Sequence, residues 1–552
     1  MWLINTSTIE LERANPDDMS TTPYAILSHT WGEEEVTFQD MIRQDRDQAI
    51  QKSGYIKILK TCELAREKRI SYAWVDTCCI DKCSSAELAE GINSMFRWYK
   101  QASICFAHLG DLRYDANLSN ELKDCRWFTR GWTLQELIAP RKLSFYNSAW
   151  EYIGTRGNLW CLISEITGIS DDYEIPNDTA SLEVIPVARR MSWAANRKTT
   201  RVEDIAYCLL GIFDVNMPML YGEGAKAFER LQEEIIKQTT DMSLFAWKAK
   251  GMSQEYRGIL AQSPAEFAHC RRLSLTPRMR TGFETAMTNK GLKLETCLGT
   301  GNILNLACRL PDGFVNQRDV GVYLTKTADG YVRSRPTELY EAEKSHLWVG
   351  ARYNVFIRKR VTPFVSEKLE TDLARNIAVD TTINPGYKMH SFAAKPADLW
   401  DRDSHCFITN NYSSFTGFLD FQISDTSGSF VSNRIVVVCG LTPMWRKDVP
   451  RPLVSWASVY YASDSDDSGA IMDCVNKYYG SYGDELYLEE LRSRLGARED
   501  EFPSKISVLS NDGLHDLIVS VDVQRSSRDG AGRIQVTVKK QRYDKITINV
   551  GG

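Results

Sequence analysis

The residues of this chain best suited to chemistry lie in "RWFTRGWTLQELIAPRKLSFYN", residues 126 to 147. A single acid, Glu136, follows Trp132 by four residues, and Pro140 then breaks the run before the strand-like Leu143-Ser144-Phe145-Tyr146. Residues four apart share one helix face, whereas Leu134, Leu137 and Ile138 fall on another. The spacing predicts a short helix with an apolar core face and a Trp132–Glu136 pair turned away from it. An indole on that side suits a ligand ring, and a fixed carboxylate beside it suits a developing positive centre. The same spacing also fits Trp132 packed under a neighbouring helical segment, with Glu136 a solvated or ion-paired acid.

Such a group needs a rigid mount, and about the first 150 residues carry the alternating pattern of a parallel α/β sheet. Four strands are expected at Tyr24–Ser28, Tyr72–Asp76, Ser103–Ala107 and Leu143–Tyr146. "YIKILKTCELAREKRI" and "AELAEGINSMFRWYKQ" have helical periods and read as crossover helices between them. Ligands of open parallel sheets bind beyond the carboxyl ends of the strands. Those ends read Ser28-His29-Thr30-Trp31-Gly32, Asp76-Thr77-Cys78-Cys79 and His108-Leu109-Gly110-Asp111. Placed on one rim, they form a candidate pocket with an aromatic wall, hydroxyls and an acid.

The other candidate groups carry open alternatives. Cys78, Cys79 and Cys83 lack the second ligand pair of a structural zinc site, so no metal is expected. Cys79 and His29 fit a nucleophile pair geometrically, and they also fit buried strand-end residues. Arg189, Arg190, Arg197, Lys198 and Arg201 suit a pyrophosphate clamp or pairing with acids such as Glu203 and Asp204. "MLYGEGAKAFERL" reads as a turn, freed by Gly222 and Gly224, followed by a helix.

The whole chain narrows the function classes. At 552 residues it calls for about two to four domains. A net charge of −5 and a pI near 6.0 give no global basic field, so no nucleic-acid partner is expected. The start has no basic or apolar leader pattern and no run reaches membrane-spanning length, which points to a reduced, cytoplasmic setting without a membrane span. No phosphate-loop or dinucleotide glycine motif occurs. Residues 187 to 245 are helical in pattern, with Val202, Ile205, Leu209 and Ile212 or Phe213 in one stripe. From about residue 250, strands alternate with turn signals in an antiparallel, sandwich-like pattern. A break near 365 to 395 divides that part, and "SDSDDSGA" at 463 to 470 reads as an exposed acidic loop.

"YAILSHTWG", "YAWVDTCCID", "RWFTRGWTLQELIAP" and "RMSWAANRKTTRVEDIAYCLLGIFDVNMPMLYGEGAKAFERLQEEI" together resemble the fungal heterokaryon-incompatibility (HET) domain over roughly residues 1 to 245. HET domains act in nonself recognition leading to growth arrest or cell death, and they resemble TIR domains, whose flavodoxin-like fold can hydrolyse NAD. The resemblance implies a TIR-like α/β HET core at 1–185, a helical extension at 186–248, a β-rich domain at 249–370 and a second, sandwich-like one at 371–552. "GWTLQEL" is similar to the TIR pattern around its catalytic glutamate, which implies that role for Glu136. It also implies ligand contacts by Ser28, His29, Thr30, Trp31, Gly32, Asp76 and Trp132. Thr133 stands where a cysteine is frequent, and His29-Thr30-Trp31 replaces the usual polar and basic loop.

One acid suffices for that reaction, because the nicotinamide of NAD is cationic and leaves neutral without a general acid. The expectation is an innate-immunity and programmed-cell-death effector that hydrolyses NAD as substrate, needs no cofactor, is restrained by its C-terminal region and self-associates when an unknown protein triggers it. The alternative is a TIR-like scaffold that signals by oligomerisation without catalysis.

Overall fold

In this computed structural model the described residues are 1–14, 22–43, 47–169, 179–251, 253–276, 284–312, 316–342, 352–373, 376–383, 385–397, 399–402, 405–409, 415–426, 434–443, 453–462, 505–509, 515–525 and 532–542. Seven strands form the N-terminal sheet: β1 (Trp2–Asn5), β2 (Leu11–Arg13), β3 (Tyr24–His29), β4 (Tyr72–Trp74), β5 (Ile104–His108), β6 (Leu143–Tyr146) and β7 (Tyr152–Thr155). Their order is β2-β1-β4-β3-β5-β6-β7. The four expected strands are its parallel centre, with β4, β3, β5 and β6 adjacent. Antiparallel pairs, β1 with β2 and β4 on one side and β7 with β6 on the other, close the edges.

The centre is covered on both faces, so β3 is buried along its whole length and reads as a nearly continuous apolar run. Helices Tyr55–Glu67 and Ser85–Gln101 make the crossovers into β4 and β5, as expected. The second begins where the Ser84 hydroxyl accepts the Glu87 amide at 3.3 Å. From β3 the chain steps outward to β4 and then returns to the other side of β3 as β5. That reversal opens a crevice at the carboxyl ends of the strands, the usual ligand position in such sheets.

The stretch 126–138 departs from the single helix of the sequence reading. It forms two pieces, Arg126–Thr129 and Thr133–Ile138, separated by Arg130-Gly131-Trp132. The break has a long-range cause. The Lys198 amide donates to the Thr129 carbonyl at 2.7 Å and the Gly131 amide to the Lys198 carbonyl at 2.8 Å, so the segment pairs sideways with the helical extension.

The extension consists of helices Val187–Ser192, Asp204–Tyr207, Leu210–Phe213 and Lys226–Gln238, with a 3-10 turn at Met242–Phe245. Leu209 and Ile212 are buried as expected, but Val202 precedes the helices and is 59% exposed, so it leaves the expected stripe. The turn reading holds for Gly222 and Gly224. Both have positive φ, and their amides donate to the Glu203 carboxylate at 2.8 and 3.0 Å.

One hydrophobic core runs from Leu3 to Ile357, joining the α/β sheet, the extension and a nine-stranded sheet. Arg333 on strand Gly330–Ser334 fastens that junction. Fully buried, it lies 3.6 Å over the Trp247 ring and donates to the Phe245 and Trp247 carbonyls at 2.8 and 2.5 Å. A second core, from Ile377 to Val536, is shared by a six-stranded and a four-stranded sheet facing each other. Two expectations change here. The region is mixed rather than purely antiparallel, because strand Ile377–Ile383 pairs in parallel with Gly532–Arg542. Residues 365 to 395 hold most of helix Pro363–Leu373 and two strands rather than a bare break. The acidic run at 463 to 470 lies outside the described residues. Among the described residues, no helix is long and apolar enough to cross a membrane, and no group of His, Cys, Asp and Glu could hold a metal ion.

Candidate functional site

Beyond the ends of β3 and β4 lies a cavity of about 610 Å³, closed on its far side by the helical extension. Thr30, Trp31, Asp76 and Trp132 line it, so four of the expected site residues do meet. The Trp31 indole donates to Asp76 Oδ2 at 2.8 Å, tying the first strand end to the second. The third strand end stays out of the lining. Asp111 instead accepts the Arg126 amide at 2.8 Å, and His108 stacks on Trp150 at 4.2 Å.

Trp31, like Trp132, was expected to contact a ligand. Two cations already lie over its indole, Lys82 Nζ at 3.7 Å and the Arg130 guanidinium at 5.1 Å. Across the cavity, the Arg201 guanidinium lies 4.3 Å over the Tyr221 ring, whose hydroxyl donates to Asp204 Oδ1 at 3.0 Å. The Trp132 indole also hydrogen-bonds Asp204, a carboxyl that burial pushes above its ordinary range. Trp132 thus packs under the extension while still facing the cavity.

Glu136 is not on the wet side. All six residues of its helix are buried, and Glu136 faces Ser28 on β3 and Tyr99 on the crossover helix Ser85–Gln101. The carboxylate sits below the lining in a closed chain of hydrogen bonds. Trp127 Nε1 donates to the Ser28 hydroxyl at 2.7 Å, and Ser28 donates to Glu136 Oε2 at 2.5 Å. Tyr99 also bonds Glu136 and sends its own hydrogen to the Leu27 carbonyl at 2.9 Å. Burial and then the Asp76 charge push the Glu136 carboxyl up to about 8, against the opposing pull of Ser28, Arg130 and Tyr99.

His29 and Gly32 also lie off the lining. Both ring nitrogens of His29 are buried without a hydrogen-bond partner, with Glu35 at 3.6 Å on one side and Asp76 at 3.8 Å on the other. The Gly32 amide donates to Glu35 at 2.6 Å. Burial opposes the Glu35 charge, yet His29, Gly32 and Lys57 outweigh it and hold that carboxyl well below the usual range. Cys79 accepts the Val75 amide at 3.4 Å, and the neighbouring Cys79 thiol together with burial raises Cys78 far above an ordinary thiol, which disfavours a thiolate there.

The expected basic group splits. Arg189, Arg190 and Arg197 are buried, and Arg197 donates to the Arg130 carbonyl at 2.8 Å and the Thr133 hydroxyl at 2.9 Å. Lys198 and Arg201 reach the cavity. Lys82, Arg126, Arg130 and Tyr221 were not singled out in the sequence, although Arg126 and Arg130 stand four apart inside the opening stretch.

Comparison with known proteins identifies part of the chain. The family model for the heterokaryon incompatibility protein (HET) matches residues 24–120, and that for a domain of unknown function (DUF8212) matches residues 226–289. The vegetative incompatibility protein HET-E-1 of Podospora anserina is 46% identical over 228 residues, covering 39% of this chain and 16% of that relative. No solved structure matches.

Proposed function

We propose, from the premise that this chain is a heterokaryon-incompatibility HET-domain protein, that it is a cell-death effector of fungal nonself recognition whose α/β cavity takes NAD and whose Glu136 hydrolyses it. One observation carries the reading. Glu136 is bonded to Ser28 at the carboxyl end of β3, under a cavity placed where the parallel strand order reverses. Counted through the parallel strands alone, the order is that of flavodoxin-like sheets, which favours the TIR-like expectation.

The arrangement suits a held-off enzyme. A neutral carboxyl below the lining cannot stabilise an oxocarbenium-like ribose, so catalysis needs the Gly131-Trp132 joint to shift and the proton to leave. When ionised and exposed, the carboxylate would stabilise or capture the ribosyl centre as neutral nicotinamide departs, and water would release ADP-ribose. The unbroken core and the Arg333 fastening couple the β-rich part to the extension that holds the joint at Gly131 beside the Glu136 helix, which supports restraint from that side. Activation by self-association or by a protein trigger would have to act through this coupling.

A second reading, the non-enzymatic scaffold, is favoured by the absence of Glu136 from the cavity lining. Expression of the full chain and of Glu136→Ala in a fungal host separates the two. Hydrolysis requires death and falling NAD with the parent and neither with the variant. Death that survives Glu136→Ala at constant NAD overturns the hydrolase and leaves the scaffold.

A further inference from the structure

The cavity wall carries a feature that NAD hydrolysis by Glu136 does not itself require. Arg126, Arg130, Lys198 and Arg201 all line it, and among the described residues none of their side chains has a carboxylate within 4.0 Å. The four come from two distant segments joined by the backbone bonds Lys198 N to Thr129 O and Gly131 N to Lys198 O. Gly131 makes that approach possible, since a Cβ there would lie 2.5 Å from Thr199 Cγ2 and 3.1 Å from Cys208 Sγ. Arg130 and Arg201 are further held over Trp31 and Tyr221. Asp76 and Asp204 in the same lining offset only part of this positive charge, and the remaining repulsion persists in a fold when a polyanion is meant to offset it. Arginine forks match phosphate oxygens in pairs. Beside this wall the lining turns apolar at Ile80, Leu88, Ile92 and Met95, a surface fit for a flat base.

We propose that this wall is a pyrophosphate subsite, and that the cavity selects nucleotides carrying at least two linked phosphates. The proposal rests on the nucleotide reading of the cavity but not on hydrolysis. The shared chemistry is a pyrophosphate joined to a nucleoside, whether from a dinucleotide or from a nucleoside di- or triphosphate.

Calorimetric titration of the full chain with ADP, AMP, adenosine and inorganic pyrophosphate tests it. ADP should bind at least about tenfold more tightly than AMP, adenosine should bind weakest, pyrophosphate should compete with ADP, and ADP affinity should fall as salt rises. NAD and ATP titrations then distinguish the two sources. The double variant Lys198→Ala with Arg201→Ala should weaken ADP at least about tenfold. The ladder in the parent needs no variant, so a misfolded double mutant leaves the test intact. Adenosine binding as tightly as ADP, or undetectable ADP and pyrophosphate binding, overturns the subsite. ADP binding together with fungal death at constant NAD keeps the subsite and removes the hydrolase, whereas NAD turnover insensitive to pyrophosphate does the reverse.

Discussion

The floor beneath the cavity and the wall beside it treat charge in opposite ways. On the floor, Glu136 is enclosed with Ser28, Tyr99 and Trp127, each group partnered, and burial keeps the acid neutral near pH 7. On the wall, Arg126, Lys198 and Arg201 stay exposed and, among the described residues, without an ion pair. The floor is organised for a satisfied resting fold, and the wall retains unspent charge for something that arrives. A binding surface can be ready in the resting state while the reacting group is stored, which is a reasonable division of labour for a toxic activity.

The largest expected effect is on the floor. In the proposed hydrolysis the ionised carboxylate is the reactive form, and the Glu136 carboxyl titrates at about 8 in the resting protein. Raising the pH therefore increases the active fraction. The kcat/KM for NAD cleavage, which reports the free protein, should climb roughly a hundredfold from pH 6 to a plateau above pH 8. A flat profile in steady-state assays would mean that Glu136 is ionised throughout or idle.

Gly131 joins floor to wall, so Gly131→Ala should strain both. The intruding Cβ is expected to cost about 1–3 kcal/mol in urea denaturation and to weaken ADP binding. An unchanged midpoint would show that the two segments separate freely. Ser28→Ala is a narrower cut, leaving the buried Trp127 indole without its acceptor and Glu136 without its donor. About 1–3 kcal/mol should be lost, and the kcat/KM midpoint should move to higher pH because the Ser28 bond favours the charged carboxylate. A midpoint shifted downward would reverse the assigned sign. The smallest effect belongs to the wall. Lys198→Ala should change stability by less than about 0.5 kcal/mol, since the ammonium has no ion pair to lose.

Much of the floor's mounting was legible in the sequence. The parallel strands stand out because burial on both faces makes them short apolar runs, and the two long crossover helices repeat at helical spacing. The edge strands β1, β2 and β7 escaped because three or four residues with mixed burial carry no such signal. The Trp132–Glu136 spacing turned the carboxylate toward the wet side, whereas the fold buries it. A helical wheel ranks faces by local pattern, whereas Glu136 is enclosed by Ser28 and Tyr99, from a strand and a helix far earlier in the chain. The wall was half visible for the same reason. Lys198 and Arg201 appeared as a cluster, but nothing in the spacing joined them to Arg126 and Arg130, because backbone bonds between distant segments make that pairing.

The most direct test is nicotinamide release from NAD at pH 8.5 by the full chain and by Glu136→Gln, each drawn from fungal cells in which the parent causes death and checked for a cooperative melt. The parent should release nicotinamide and the variant should be slower by at least about a hundredfold. A folded Glu136→Gln protein that matches the parent would contradict the account.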